Sequence, residues 1–161
     1  FQTKTRMLAV PTSNLGTQTT LHELNVGLYN VYFNDTTAKP SSFSIIVNAQ
    51  DPSKVVKRWD IFSIITQVLD SNGLDVPLET ITTIRFRDDY QDTGVITLTP
   101  QTNIRRIFRT WRFNKIWTSA TNNPRFRDRY MIIDITFVNS ASINRKLIVY
   151  GTETTFVQQP F

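Results

Sequence analysis

The chain has 161 residues, 40% hydrophobic and 19% charged, which is one domain's worth of sequence with enough apolar side chains to bury a core. It holds no cysteine, which excludes disulfides, thiolate nucleophiles and cysteine-ligated zinc, and no apolar run is long enough for a membrane-spanning helix. The net charge of +5 lies in the second half: residues 1–80 carry six Lys/Arg against seven Asp/Glu, residues 81–161 twelve against six, and ten of those twelve are arginine. Arginine's planar fork favours bidentate contacts with carboxylates and phosphates and stacking on rings, so this half suits an interface.

Residues 1–24 mix Thr, Asn, Ser and Gly with few apolar positions, too few to bury themselves. They are expected to form an extended arm lying against a neighbouring protein, because ordering them alone is unfavourable. The start, "FQTKTRML", has no apolar h-region and no initiator Met, so a chain beginning at Phe1 is expected to be a piece of a longer product. Residues 25–161 are expected to form a single β domain.

That domain opens with the alternating "VGLYNVYF" (26–33) and a turn-rich link, "NDTTAKPSS" (34–42). In "FSIIVNA" (43–49) Phe43, Ile45 and Val47 share one strand face, and "DPSK" (51–54) breaks it. "WDIFSIITQVLD" (59–70) fits helix spacing through Ile61, Ile64, Ile65 and Val68, but its β-branched residues and Phe62 favour a strand, and "DSNG" (70–73) is a hairpin-type turn. "TITTIRFR" (80–87), "GVITL" (94–98), "IRRIFRTWRF" (104–113), "YMIIDITFV" (130–138) and "RKLIVYG" (145–151) are further predicted strands. In the fourth of these, Met131, Ile133, Ile135 and Phe137 form an apolar face opposite Tyr130, Asp134 and Thr136. Strands recurring between short polar turns, with no strong helix signal, predict an all-β fold: an antiparallel β-sandwich or barrel-like sheet pair.

Few motifs point to catalysis. Asp92-Thr93-Gly94 matches the tripeptide of aspartic proteases, but the catalytic aspartate should follow an apolar strand, and here "DDYQ" precedes it. A polar turn before a strand is the simpler reading. Asp88, Asp89 and Asp92 are too irregularly spaced for a calcium loop, and no glutamate closes one. His22, the only histidine, cannot build a triad or a metal site by itself. No phosphate-binding glycine loop occurs. Asn34-Asp35-Thr36 fits a glycosylation sequon, which matters only in a secretory pathway. The expectation is therefore no enzymatic activity, no cofactor and no metal.

The densest chemistry is "NIRRIFRTWRFNKIW" (103–117), where Arg105, Arg106, Arg109, Arg112 and Lys115 are interleaved with Phe108, Trp111, Phe113 and Trp117. A nucleic-acid platform stacks bases on rings beside a cationic groove. As one continuous strand, however, this stretch places Ile107, Trp111 and Phe113 with Arg105 and Arg109, and Phe108 with Arg106 and Arg112. Both faces are mixed, which fits a strand central to a sheet, with Trp111 buried and arginines packed along their stems. The arginines are expected to reach Asp88, Asp89, Asp92, Asp128 and Asp134.

Tyr90-Gln91-Asp92-Thr93-Gly94, then Asn103, Arg106, Phe108, Arg109, Trp111 and Arg112, then Arg127-Asp128 and Tyr130 carry a resemblance. Across roughly residues 55–161 the chain resembles the C-terminal part of the tail stabilisation, or muzzle, protein family of crAss-like bacteriophages. It departs where "NKIW" (114–117) stands for that family's "IPR" and "IVYG" (148–151) for its "LHD". The resemblance implies a structural protein of the virion tail, assembled as a ring with copies of itself and with other tail proteins. It implies no small-molecule substrate. It marks Arg106, Phe108, Arg109, Trp111, Arg112, Arg127, Asp128 and Tyr130 as interface or structural candidates. A nucleic-acid-binding β domain and a capsid-type jelly roll of another virus are the alternatives.

Overall fold

Alternation of apolar and polar side chains makes each long segment a strand with one face for a core and one for water. The structure is a computed structural model that describes residues 8–9, 22–23, 28–29, 39–48, 55–114, 116, 125–139 and 143–158. Eleven strands occur among them: β1 (Leu8–Ala9), β2 (His22–Glu23), β3 (Ser41–Asn48), β4 (Lys57–Leu69), β5 (Thr83–Arg87), β6 (Ile96–Thr97), β7 (Arg105–Ile107), β8 (Thr110–Phe113), β9 (Arg127–Asp128), β10 (Tyr130–Phe137) and β11 (Lys146–Gln158). No helix occurs among the described residues. Leu8 pairs with Glu23 and Ala9 with His22; the rest of the expected arm, and nearly all of 26–38, lie outside the described residues.

Apart from the β1-β2 pair, the strands form two antiparallel sheets, β3-β10-β5-β6 and β11-β4-β8-β7, with β9 also on β4. The sheets pack as an open sandwich rather than a closed barrel, each keeping two edge strands. Connections fix how they stack. Pro100 bridges Ile104 and so ties the end of β6 to the start of β7, while β9, paired to β4, runs directly into β10. Across the sandwich β5 faces β4 and β8, where Phe86 meets Phe62 and Phe113.

The core is built from the inward faces. Phe86 of β5 meets Phe62 of β4 edge-on at 5.9 Å and stacks on Phe113 of β8 at 5.6 Å. Met131, Ile133, Ile135 and Phe137, the face expected from the alternation, are all buried. Burying a side chain of this class is worth about 1.5–3 kcal/mol relative to leaving it in water. In β4 the strand reading holds against the helical one: Phe62, Ile64 and Val68 are buried while Ile65 is exposed. An irregularity shifts β4 against β11 at Trp59/Ile61, so that Trp59 and Phe62 both turn inward despite their odd spacing. Trp59 then meets Phe156 of β11 at 5.3 Å.

The expected turn after β4 forms around Asp70, whose carboxylate accepts the amides of Asn72 and Leu74, with Gly73 at a φ of +79° that a side chain would resist.

Candidate interaction surface

The stretch 104–113 is not one strand. It is a hairpin, β7 and β8 joined by a two-residue turn at Phe108-Arg109. Phe108 has a φ of +57°, and Arg109 is not in the left-handed region. Positive φ at only the first turn residue is the type II′ pattern, where glycine is usual. The reversal reassigns the faces. Arg105 opposes Arg112, Arg106 opposes Trp111, and Ile107 opposes Thr110. Trp111 and Phe113 point into the core, Trp111 only 1% exposed, as expected. Arg105, Arg112 and Ile107 point out. Phe108 stands 94% exposed at the hairpin tip, with Arg109 exposed beside it. β8 is interior to the sheet, whereas β7 is its edge.

The expected pairing of these arginines with Asp88, Asp89, Asp92, Asp128 and Asp134 is overturned. Arg106 donates from Nη1 to the carbonyl of Pro77, and its Nε is buried without a partner. Arg105, Arg109 and Arg112 have no ion pair or side-chain hydrogen bond among the described residues. The acids are engaged elsewhere. On the outer face of the other sheet, Arg85 grips Asp92 with two of its nitrogens, Nε at 2.8 Å from Oδ1 and Nη2 on Oδ2, and Arg87 Nε reaches Asp134 Oδ2 at 2.6 Å. Ser44 Oγ donates to Asp134 Oδ1 at 2.6 Å. The Arg85 guanidinium lowers the Asp92 pKa to about 2, and Arg87 likewise holds the Asp134 carboxyl below its usual range. Two arginines and two aspartates thus neutralise one another diagonally across two adjoining rows.

Asp92-Thr93-Gly94 forms a turn, as expected. Asp92 accepts the Gly94 amide, Thr93 Oγ1 accepts the Phe86 amide, and Gly94 has a φ of +67°. Asp88 accepts the amides of Tyr90 and Gln91. Gln91, not singled out among the interface candidates, joins two of the segments that carry the resemblance: Nε2 donates to the Arg127 carbonyl at 2.6 Å and Oε1 accepts the Arg127 amide at 3.2 Å. Arg127 and Asp128 form β9 against Arg58 and Lys57. Tyr130 opens β10, and Asp89 against its hydroxyl raises its pKa.

The eight sequence candidates therefore fall into two groups. Arg106, Phe108, Arg109, Trp111 and Arg112 build the hairpin at one sheet edge. Arg127, Asp128 and Tyr130 lie at one end of the sandwich, beside the 88–92 turn. Near that end Lys57 is fully buried, donating to the Arg129 carbonyl at 3.0 Å with its ammonium 5.8 Å from the Phe156 ring centroid. Sequence reading also missed the length of β11, which runs on through "TETTFVQ" (152–158). The β-branched threonines were the available signal. No group of three or more His, Cys, Asp or Glu that could hold a metal ion occurs among the described residues.

No protein-family model matches the chain, and no curated protein matches it at a significant level.

Proposed function

We propose that this chain is a structural domain that works through protein–protein contacts, as a component of a bacteriophage tail assembly. The observation that carries the contact reading is the pair of open edges of the sheet β11-β4-β8-β7, below called the outer sheet. Among the described residues β11, thirteen residues long, is paired on one side only, and the β7–β8 hairpin presents Arg105, Arg109 and Arg112 without acid partners and an exposed ring at the other edge. Monomeric proteins blunt long edge strands with charges, prolines or covering loops. β11 has no proline, its only charged residues are Lys146 and Glu153, and between its two register irregularities it runs regularly from Gly151 to Thr155. Tail membership rests on the resemblance described above. Intact-mass measurement of the proteins of purified phage particles tests it: the reading requires this sequence in the particle, and its absence defeats the assignment.

A nucleic-acid-binding domain is the second reading, favoured by one observation, the exposure of Phe108 beside Arg105, Arg109 and Arg112. Sequence-independent binding has a dissociation constant of about 10⁻⁴–10⁻⁶ M at physiological salt. Submicromolar affinity for DNA under those conditions replaces the structural reading with this one.

A further inference from the structure

Deepening the contact reading, on which it rests, we propose that the outer sheet binds a second copy of this chain head to tail, the β11 edge of one copy adding to the β7 edge of the next. Three observations carry it.

The first is direction. From edge to edge the sheet's path β11-β4-β8-β7 has four strands, with β9 off this path on β4, all antiparallel to their neighbours. An even number of alternating strands leaves the two edges running in opposite directions. A copy that repeats the sheet in the same orientation therefore meets β7 antiparallel, and the ladder continues without inversion.

The second is charge in register. Glu153 opposes Ser63, Ser63 opposes Arg112, and Arg112 opposes Arg105. One row across the outer face thus runs from a carboxylate at the β11 edge to two guanidiniums at the β7 edge. Glu153 has no ion pair among the described residues, and neither arginine has one. Repeating the sheet in the same row sets Glu153 of the next copy opposite Arg105. That contact converts an unfavourable like-charge pair into an alternating one.

The third is shape in the adjoining row, where Gly151 opposes Ile65, Ile65 opposes Thr110, and Thr110 opposes Ile107. The same unshifted register sets Gly151 of the next copy opposite Ile107, whose side chain is exposed. A Cβ on Gly151 would meet no atom within 4 Å, so no crowding among the described residues requires a glycine there, beside the irregularity at Tyr150. A neighbour's isoleucine seated against that backbone gives the missing side chain a reason. A head-to-tail contact of this kind closes into a ring when its rotations sum to a full turn, and otherwise extends as a filament.

Charge exchange tests the contact in the full chain. The native protein should self-associate reversibly in sedimentation velocity as its concentration approaches about 1 mM. Glu153→Arg and Arg105→Glu, each alone, should weaken association by about tenfold or more, since each leaves like charges facing. Mixing the two variants in equal amounts should restore it, because every contact between one variant and the other pairs opposite charges and the copies can alternate. Both positions are on the surface, and circular dichroism verifies that the variants fold. The cysteine-free background gives a second readout: Arg105→Cys mixed with Glu153→Cys should form a disulfide-linked heterodimer on mild oxidation, as directly opposed strand residues lie within bridging range.

Native association that both charge reversals leave unchanged overturns this register while leaving an assembling domain intact. Absence of association at millimolar concentration overturns the contact, with tail membership still decided by the particle masses. Association that appears only when DNA is added overturns it in favour of the nucleic-acid reading.

Discussion

Arg105 stands directly opposite Arg112 across the β7–β8 ladder, two cations in one cross-strand pair with no acid joined to either among the described residues. Like charges so placed oppose hairpin formation. The pair persists because Trp111, opposite Arg106 in the next row, is held in the core and fixes the register. Arg112→Thr should therefore stabilise the dilute, unassociated chain, raising its melting temperature by about 1–3 °C. Thermal unfolding at low and high salt checks this: the gain should shrink with salt, because screening relieves the same repulsion in the parent.

Trp111 is the anchor of that hairpin. Trp111→Ala should cost roughly 3–5 kcal/mol, the usual range for removing a large buried ring. Arg112→Ala, by contrast, should stay within about 0.5 kcal/mol. Urea unfolding of both variants reads the difference. A Trp111→Ala chain as stable as its parent shows the ring to be dispensable to the core and returns the stretch to a stacking platform.

The sequence disclosed the sandwich wherever alternation was uninterrupted. β10 is the clearest case: its apolar face could be read residue by residue, and that parity sets its register against both β3 and β5. The hairpin was hidden because its turn uses Phe108 and Arg109 in place of the Asn or Gly that marks a reversal. Missing the turn inverted the faces of everything before it, since a strand read through a hairpin keeps counting in the wrong direction. The acid partners were misassigned for a related reason. Arg85 and Arg87 stand on the same strand as the Asp88–Asp92 turn and reach Asp92 and Asp134 first. At β11 the bulge at Tyr150 breaks the period-2 pattern, and the predicted strand stopped there, at Gly151.

The Arg85–Asp92 pair makes stability depend on acid. Its carboxylate titrates near 2 in the folded chain, below its ordinary value of 3.8, because Arg85 donates to it. A depressed folded-state pKa contributes stability at pH above the unfolded value and loses it as the pH falls through the folded one. The contribution is therefore complete above about pH 5 and gone below about pH 2. Both side chains are more than a third exposed, so solvent screening keeps the effect small. Asp92→Asn should melt slightly below the parent at pH 7, and the two should converge as the pH approaches 2. Melting curves across this range check it; a gap that widens in acid contradicts the assignment.

Gln91 is the most informative single substitution at the end of the sandwich. Its amide is oriented by three partners: Nε2 donates to Asp88 Oδ2 at 3.0 Å and to the Arg127 carbonyl at 2.6 Å, while Oε1 accepts the Arg127 amide. The turn before Asp92 and strand β9 are thus tied by one side chain. Gln91→Ala removes all three bonds but leaves room for water to replace them, so the loss should be about 1 kcal/mol. Gln91→Glu keeps the shape and the acceptor but replaces the donor with a carboxylate oxygen. At neutral pH that oxygen faces both Asp88 and the Arg127 carbonyl, acceptor against acceptor, and the substitution should cost more than truncation. Protonation restores a donor. The introduced carboxyl should therefore take up a proton above the usual glutamate value of about 4.3, and folded-state stability should recover as the pH is lowered toward 4. Thermal melts of the parent, Gln91→Ala and Gln91→Glu at pH 7 and pH 4.5 separate these effects. The expected order at pH 7 is parent, alanine, glutamate. At pH 4.5 the glutamate variant should overtake the alanine variant. If the two keep their neutral-pH order in acid, the Nε2 bonds do not hold this junction together.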